Sequence, residues 1–267
     1  MADETYHLKI EDIHLSFGVL KSLDAVSTGV KKGEIFSIIG PNGAGKTSLL
    51  NCINRFYTPE QGSILFEGHE LLTHKAHKIA SLGIARTFQN IELFPHMTVL
   101  DNIRLGSHIH LKSGVFAGGM YLGKAKKEET ELRKYIEEKI IDLLEIEQIR
   151  KKAVGTLPYG LQRRVEIARA LAMRPKLLLL DEPVAGMNLE ETEDIARFIL
   201  DINEEWGVTI VLIEHDMGVV MDISDRICVL DFGRKIAEGK PSEIRSNDHV
   251  IKAYLGEDET TYSKLGA

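Results

Sequence analysis

Alternation of apolar and polar positions opens the chain, over Tyr6–Phe17 and Ala25–Val30. Strand side chains point to opposite faces in turn, so this period of two predicts half-buried strands. Gly33–Gly40 (GEIFSIIG) is instead a compact apolar run ending in glycine, which predicts a buried strand feeding a turn. Helical spacing follows over Lys46–Phe56, with Leu49, Leu50 and Ile53 on one face. Gly62–Phe66 predicts another strand, Lys75–Leu82 a short helix and Thr98–Gly106 a further helix. The glycine-rich stretch Ser113–Gly123 predicts a loop. Lys124–Arg150 predicts a helix whose stripe Ile136, Ile140, Leu143 and Leu144 packs within a helical subdomain. Its polar face mixes Lys and Glu, unlike the uniformly basic face of a membrane-surface helix. Leu177–Leu180 and Val208–Ile213 are nearly continuous apolar runs that stop at Asp181 and Glu214. Such strands between amphipathic helices predict a parallel sheet covered on both faces. The last residues, 258–267, predict a polar, frayed tail.

Composition narrows the class. A chain of 267 residues holds one large α/β domain or two small ones. Its 43% hydrophobic and 27% charged residues are ordinary for a globular protein with a sizeable core. A formal charge of -7 and a pI of about 5.8 argue against a sequence-independent nucleic-acid binder, which carries a basic stripe. The two cysteines, Cys52 and Cys228, lie far apart with no ligand cluster, so reduced core thiols are expected, not zinc or a disulfide. The opening residues are acidic, so no secretory leader is expected. No apolar run approaches the ~20 residues needed to span a bilayer, so any work at a membrane needs an anchoring partner.

The candidate chemistry sits at the strand ends. Gly40–Ser48 (GPNGAGKTS) matches the phosphate-loop pattern G-x-x-x-x-G-K-[ST]. Gly40, Gly43 and Gly45, with Pro41, Asn42 and Ala44 between them, let successive backbone N–H groups turn toward phosphate oxygens. The following helix adds its N-terminal partial charge. Lys46 supplies a point charge for the β- and γ-phosphates, Thr47 a hydroxyl for Mg²⁺, and Ser48 another for phosphate. Chance alone gives this pattern in about one chain in a hundred of this length, and its place between a buried strand and a helix lowers that further. LLLLDEP (Leu177–Pro183) supplies the complement, because ligands of open α/β sheets bind outside the C-terminal ends of the strands. Asp181 is the expected Mg²⁺ partner, and Glu182 the general base for the attacking water.

With these motifs in hand, the sequence over about Tyr6–Gly256 resembles an ABC transporter ATP-binding subunit. The resemblance implies an α/β fold: a P-loop NTPase core with a mostly parallel sheet, an antiparallel β subdomain and an inserted helical subdomain. One domain over 1–257 is expected, with core about 1–90 and 160–257 and helical subdomain about 91–159. The family's signature, usually LSGGQ, opens a helix and grips the γ-phosphate held by a partner cassette. Here it corresponds to Leu157–Leu161 (LPYGL). Gly160 fits, whereas Pro158 replaces the usual serine, Tyr159 a glycine and Leu161 a glutamine. Proline is tolerated before a helix because its missing N–H costs nothing there. By the same resemblance Gln89 is the lid glutamine linking Mg²⁺ and water to a permease. His215 is the switch histidine, and Asn188 in AGMN lies in the loop that crosses to the partner. Phe17 stacks on adenine, with ordinary core packing an alternative of nearly equal weight.

GIARTFQNIELFPHMTVLDNI (Gly83–Ile103), EPVAGMN and the ending VIKAYLGE resemble cassettes of branched-chain amino acid importers. That implies ATP and Mg²⁺ as cofactors, a second cassette of the same or a different kind, two membrane permeases and an extracytoplasmic solute-binding protein. The expected place is the cytoplasmic face of the membrane, held through the permeases, and no nucleic-acid partner is expected. Cassettes of lipopolysaccharide export, urea or amide uptake, and soluble non-transport ABC ATPases stay open as alternatives.

Overall fold

β1 (Leu8–Phe17) buries Leu8 and Ile10, then Ile13 and Leu15. The inward set slips by one residue because Asp12, at φ 50°, bulges the strand. β2 (Leu20–Val30) returns antiparallel to it, from Leu20 opposite Phe17 to Val30 opposite Leu8. The sequence pattern started this strand only at Ala25; a second irregularity there, φ 59°, breaks the alternation and hides residues 20–24. β4 (Gln61–Phe66) pairs with the other edge of β1, and β5 (His69–Glu70) extends it into a four-stranded antiparallel sheet. The chain, a computed structural model, is described over residues 6–110 and 124–255. The loop expected at 113–123 and the tail at 258–267 lie outside the described residues.

The second sheet has six strands. β3 (Ile35–Ile39) is flanked by β8 (Thr209–Ile213) and β9 (Arg226–Asp231), both parallel to it. β7 (Leu177–Asp181) and β6 (Ile84–Arg86) continue the parallel run beyond β8, and β10 (Arg234–Gly239) closes the other edge antiparallel to β9. The continuous apolar runs are explained by two covered faces. Phe36, Ile38, Leu177, Leu179, Val211 and Ile213 pack toward the antiparallel sheet and α1 (Lys46–Ile53). Ile35, Leu178, Leu180, Ile210 and Leu212 pack toward α5 (Tyr159–Leu171) and α6 (Leu189–Trp206), numbered in chain order after α2 (Ala76–Ile79), α3 (Val99–Gly106) and α4 (Lys124–Tyr135).

The helix expected over Lys124–Arg150 is shorter. After α4 it passes through one wide turn, Ile136–Ile141, and ends near Leu143; Glu145 then takes φ 55°. The turn lets Ile146 and Ile149 rejoin the same core as Ile136, Ile140 and Leu144, which a straight continuation would not. α7 (Met217–Ile223), α8 (Pro241–Arg245) and α9 (Asp248–Leu255) enclose a third cluster against Ile39, Ile227 and Val229. Among the described residues no helix is long and apolar enough to cross a membrane.

Candidate nucleotide site

β3 delivers the chain into its turn at Gly40, φ 147°, where a Cβ would stand 2.0 Å from the Leu230 carbonyl oxygen. Gly45, φ 100°, likewise leaves no room for a side chain, with Ser22 O at 2.6 Å from where a Cβ would lie. These two positions let the backbone curl tightly between β3 and α1. Lys46 folds back over the loop, donating to Gly40 O at 2.7 Å and Pro41 O at 2.9 Å. Ser48 accepts a hydrogen bond from Ser22 at 2.7 Å, tying the loop to the antiparallel sheet. Asn42–Ser48 line a cavity of ≈ 440 Å³ together with Phe17, Gln89, Glu182 and His215. Phe17 is 47% exposed at its edge, packed edge-on to Tyr57 at 5.1 Å. Phe17 is thus no buried core residue.

The end of β7 supplies the carboxylates. Asp181 is buried, and its Oδ2 accepts from Arg86 at 2.7 Å while Oδ1 is buried with no partner. Asp181 does not itself line the cavity, whose wall carries Thr47 and Glu182, but an uncommitted carboxylate oxygen and a hydroxyl are the oxygen donors that Mg²⁺ takes. Glu182 leaves the strand at φ 51°, its N–H held by Ile213 O at 2.8 Å. This left-handed conformation is costly for a non-glycine residue and tends to occur at functional sites. It puts the carboxylate between two partners: Gln89 Nε2 donates to Oε2 at 2.8 Å, and His215 Nε2 lies 3.1 Å from Oε1. The three residues expected to act in catalysis are thus in direct contact.

Leu157, Pro158, Tyr159, Gly160 and Asn188 do not line this cavity. Gly160 and Asn188 are instead linked through Glu191, Tyr159 bonds Arg163, and Leu157 is buried in the core. Pro158 is the residue before α5 and gives no side-chain cap to it. At Gly160 a Cβ would come within 2.4 Å of Glu191 Oε1, so the absent side chain makes room for that carboxylate. Glu191 in turn closes a capping box with Asn188 at the start of α6. Leu161 packs, half-buried, on the core beneath the sheet.

Several residues escaped the sequence reading. Arg163, fully buried, donates to the carbonyls of Phe88 at 2.7 Å and Gln89 at 2.9 Å, and to the Tyr159 hydroxyl at 2.8 Å. Its partner Glu166 lies at 2.7 Å, and burial pushes that carboxyl above the usual range against the pull of Arg163. Glu214 accepts from Val184 N–H at 2.8 Å and His215 N–H at 2.9 Å, lashing the segment after Glu182 to the one bearing His215. Burial also holds its carboxyl above the ordinary range. No local signal marked them: Arg163 and Glu166 lie in a helix that also carries Gln162, Arg164 and Arg169, and Glu214 is one of several charged residues at strand ends.

A second cavity, of ≈ 640 Å³, is lined by residues of α2, β6, α3 and α5 and by the segments beside them. Phe56, Phe88, Phe94 and Leu105 line it, and Phe56 and Phe94 are 60% and 54% exposed.

Fold, phosphate loop and Asp-Glu pair together define an ATPase cassette. The family description "ABC transporter" matches residues 23–185, and the chain belongs to that family, as an ATP-binding and ATP-hydrolysing subunit. A second description, "Branched-chain amino acid ATP-binding cassette transporter", matches residues 234–260. The chain is 42% identical over 250 residues to the high-affinity branched-chain amino acid transport ATP-binding protein BraF of Pseudomonas aeruginosa, covering 94% of this chain and 98% of that one. It is 40% identical to LivG of Escherichia coli, with the same coverage, 94% and 98%. The ADP conformation of the cassette MJ1267 superposes with a TM-score of 0.82 at 33% identity, over 95% of this chain and 100% of that one. The dimeric cassette MJ0796 gives 0.75 at 26%, over 88% and 98%.

Proposed function

We propose that this chain is the ATPase subunit of an importer of branched-chain or related amino acids, acting at the cytoplasmic face of a membrane through permease subunits. The observation that carries the catalytic part is the contact of Glu182 with both Gln89 and His215 at the mouth of the phosphate-loop cavity. Amino acid import is supported by the names of BraF and LivG and by the match at residues 234–260. Lys46 leaves the carbonyls of Gly40 and Pro41 for the β- and γ-phosphates, and Phe17 stacks on the adenine. Thr47, Asp181 and Gln89 would hold Mg²⁺, which when bound would neutralise charge on the phosphate oxygens. Glu182 takes the proton of the attacking water, and His215 and Gln89 hold the carboxylate in place.

Two cassettes close head to tail, so that Leu157–Leu161 and Asn188 of one face the ATP of the other. The placement of these residues away from the chain's own cavity, and the dimeric form of MJ0796, support that arrangement. The second cavity is the docking place for a permease, with a solute-binding protein reached through it.

Replacing Glu182 by glutamine tests the base, because the amide keeps size and hydrogen bonding but accepts no proton. Glu182→Gln is expected to bind Mg-ATP as the parent does and to lose ~10²-fold or more in turnover. Near-normal hydrolysis by the folded variant would remove Glu182 from that role. Solute-stimulated hydrolysis, after co-purification with its permeases into liposomes, tests the transport assignment.

A further inference from the structure

We propose that Arg86 is a positioning residue for the divalent cation: it pins one oxygen of Asp181 so that the other is left for the metal. The inference rests on the assignment of Asp181 as the Mg²⁺ carboxylate. Arg86 ends β6 and stands opposite Leu179 of β7, two residues before Asp181. Both side chains of the pair are buried, at 4% and 2% exposure. Arg86 Nη2 donates to Asp181 Oδ2 at 2.7 Å, and Nη1 donates to Asn51 Oδ1 at 2.7 Å. The guanidinium also lies over the Phe88 ring, 5.1 Å from its centroid. Asn51 belongs to α1, the helix that starts at Lys46, so the arginine bridges the phosphate-loop helix and the metal carboxylate.

The pairing is one-sided, and that decides its purpose. Arginine and a carboxylate commonly form a two-pronged fork in which both oxygens are engaged. Charge compensation for buried Asp181 would be best served by such a fork. Here Asn51 draws the second Nη away, and Arg86 Nε and Asp181 Oδ1 are both buried without partners. A fork that never closes leaves one carboxylate oxygen with its lone pairs uncommitted. The arginine therefore fixes the carboxylate plane without occupying the oxygen a cation needs. Partners of this kind orient a metal's ligands and control its affinity.

The test uses the full chain and a fluorescent ADP analogue, titrated once in EDTA and then across rising Mg²⁺. Arg86→Leu is expected to raise the Mg²⁺ concentration for half-maximal tightening about tenfold or more, while affinity in EDTA stays at the parent value. Arg86→Lys keeps the cation and is expected to recover part of the loss. Asn51→Ala frees Nη1 to close the fork, and is expected to raise the Mg²⁺ requirement in the same direction by a smaller factor. An unchanged or lower requirement in Arg86→Leu would overturn the proposal, because an arginine that merely neutralises Asp181 competes with the cation and its loss tightens Mg²⁺. Should Arg86→Leu not fold, an unchanged requirement in Asn51→Ala overturns it equally. Failure of the parent chain to bind the analogue in EDTA would instead remove the phosphate-loop assignment on which the proposal stands.

Discussion

At the residue scale the two thiols give the simplest check on the core. Cys52 and Cys228 are fully buried, and burial pushes both up to about 12. The thiolate is the nucleophile, so at pH 8 the native protein is expected to leave an aromatic disulfide reagent unreacted, and both thiols to react once guanidinium unfolds it. Rapid native labelling would contradict the burial of α1 against the sheet. The residues proposed to touch phosphate, water and metal were legible in the sequence because their chemistry demands fixed types at fixed spacing. Those that hold them were not. Arg86, Arg163, Glu166 and Glu214 act by contacts between segments far apart in the chain, 30 residues for Glu214 with Val184 and 95 for Arg86 with Asp181, or by burial, and neither leaves a local pattern. Phe17 could be read two ways because an aromatic at a strand end looks the same whether it turns in or out.

At the element scale, the start of α5 and the start of α6 share one carboxylate. Glu191 caps α6 through Asn188 and fills the space that Gly160 leaves open. Alanine at position 160 should gain roughly 1 kcal/mol in helix propensity, and lose about the same by pushing Glu191 out of its capping box. The two effects separate in a double-mutant cycle. Gly160→Ala is expected to be near neutral alone and stabilising by about 1 kcal/mol in a Glu191→Ala background, read from urea midpoints. Equal effects in both backgrounds would mean that the carboxylate moves aside without cost. Elements with an uninterrupted period were legible: β3, α1, β7 and β8 fall where the pattern put them, within a few residues at their ends. β1, β4 and α3 also fall where the pattern put them, whereas the irregularity at Ala25 hid the first half of β2 and the turn at Glu145 ended the helix expected to reach Arg150, since each resets the phase of the pattern in mid-element.

For the whole molecule, the altered signature predicts an unequal partnership. Pro158 offers no hydroxyl to a partner's phosphate, and losing one contact to a charged group costs roughly 1.5–3 kcal/mol. ATP-driven pairing of this chain with itself should therefore be weak, and stronger with a different natural partner. Pro158→Ser with Leu161→Gln, made in Glu182→Gln protein, is expected to raise the dimer fraction in sedimentation with Mg-ATP. Serine also suits the position as a helix cap, where proline gives none. Equal dimer fractions would show that Gly160 and the helix end hold phosphate unaided.

The place of β3 in the six-stranded sheet has a consequence in time. Its neighbours are β8 and β9, and Phe36 lies opposite Val211. Chains grow at about 5–20 residues per second, so a ribosome needs roughly 9–35 s to make the intervening stretch. Through that interval the nascent phosphate loop has no β8 beside it and no β9 carbonyl against Gly40. The antiparallel sheet of β1, β2, β4 and β5, complete by Glu70, is the part that can assemble first. The nucleotide pocket is thus a late product of synthesis, completed only when the C-terminal third of the chain arrives.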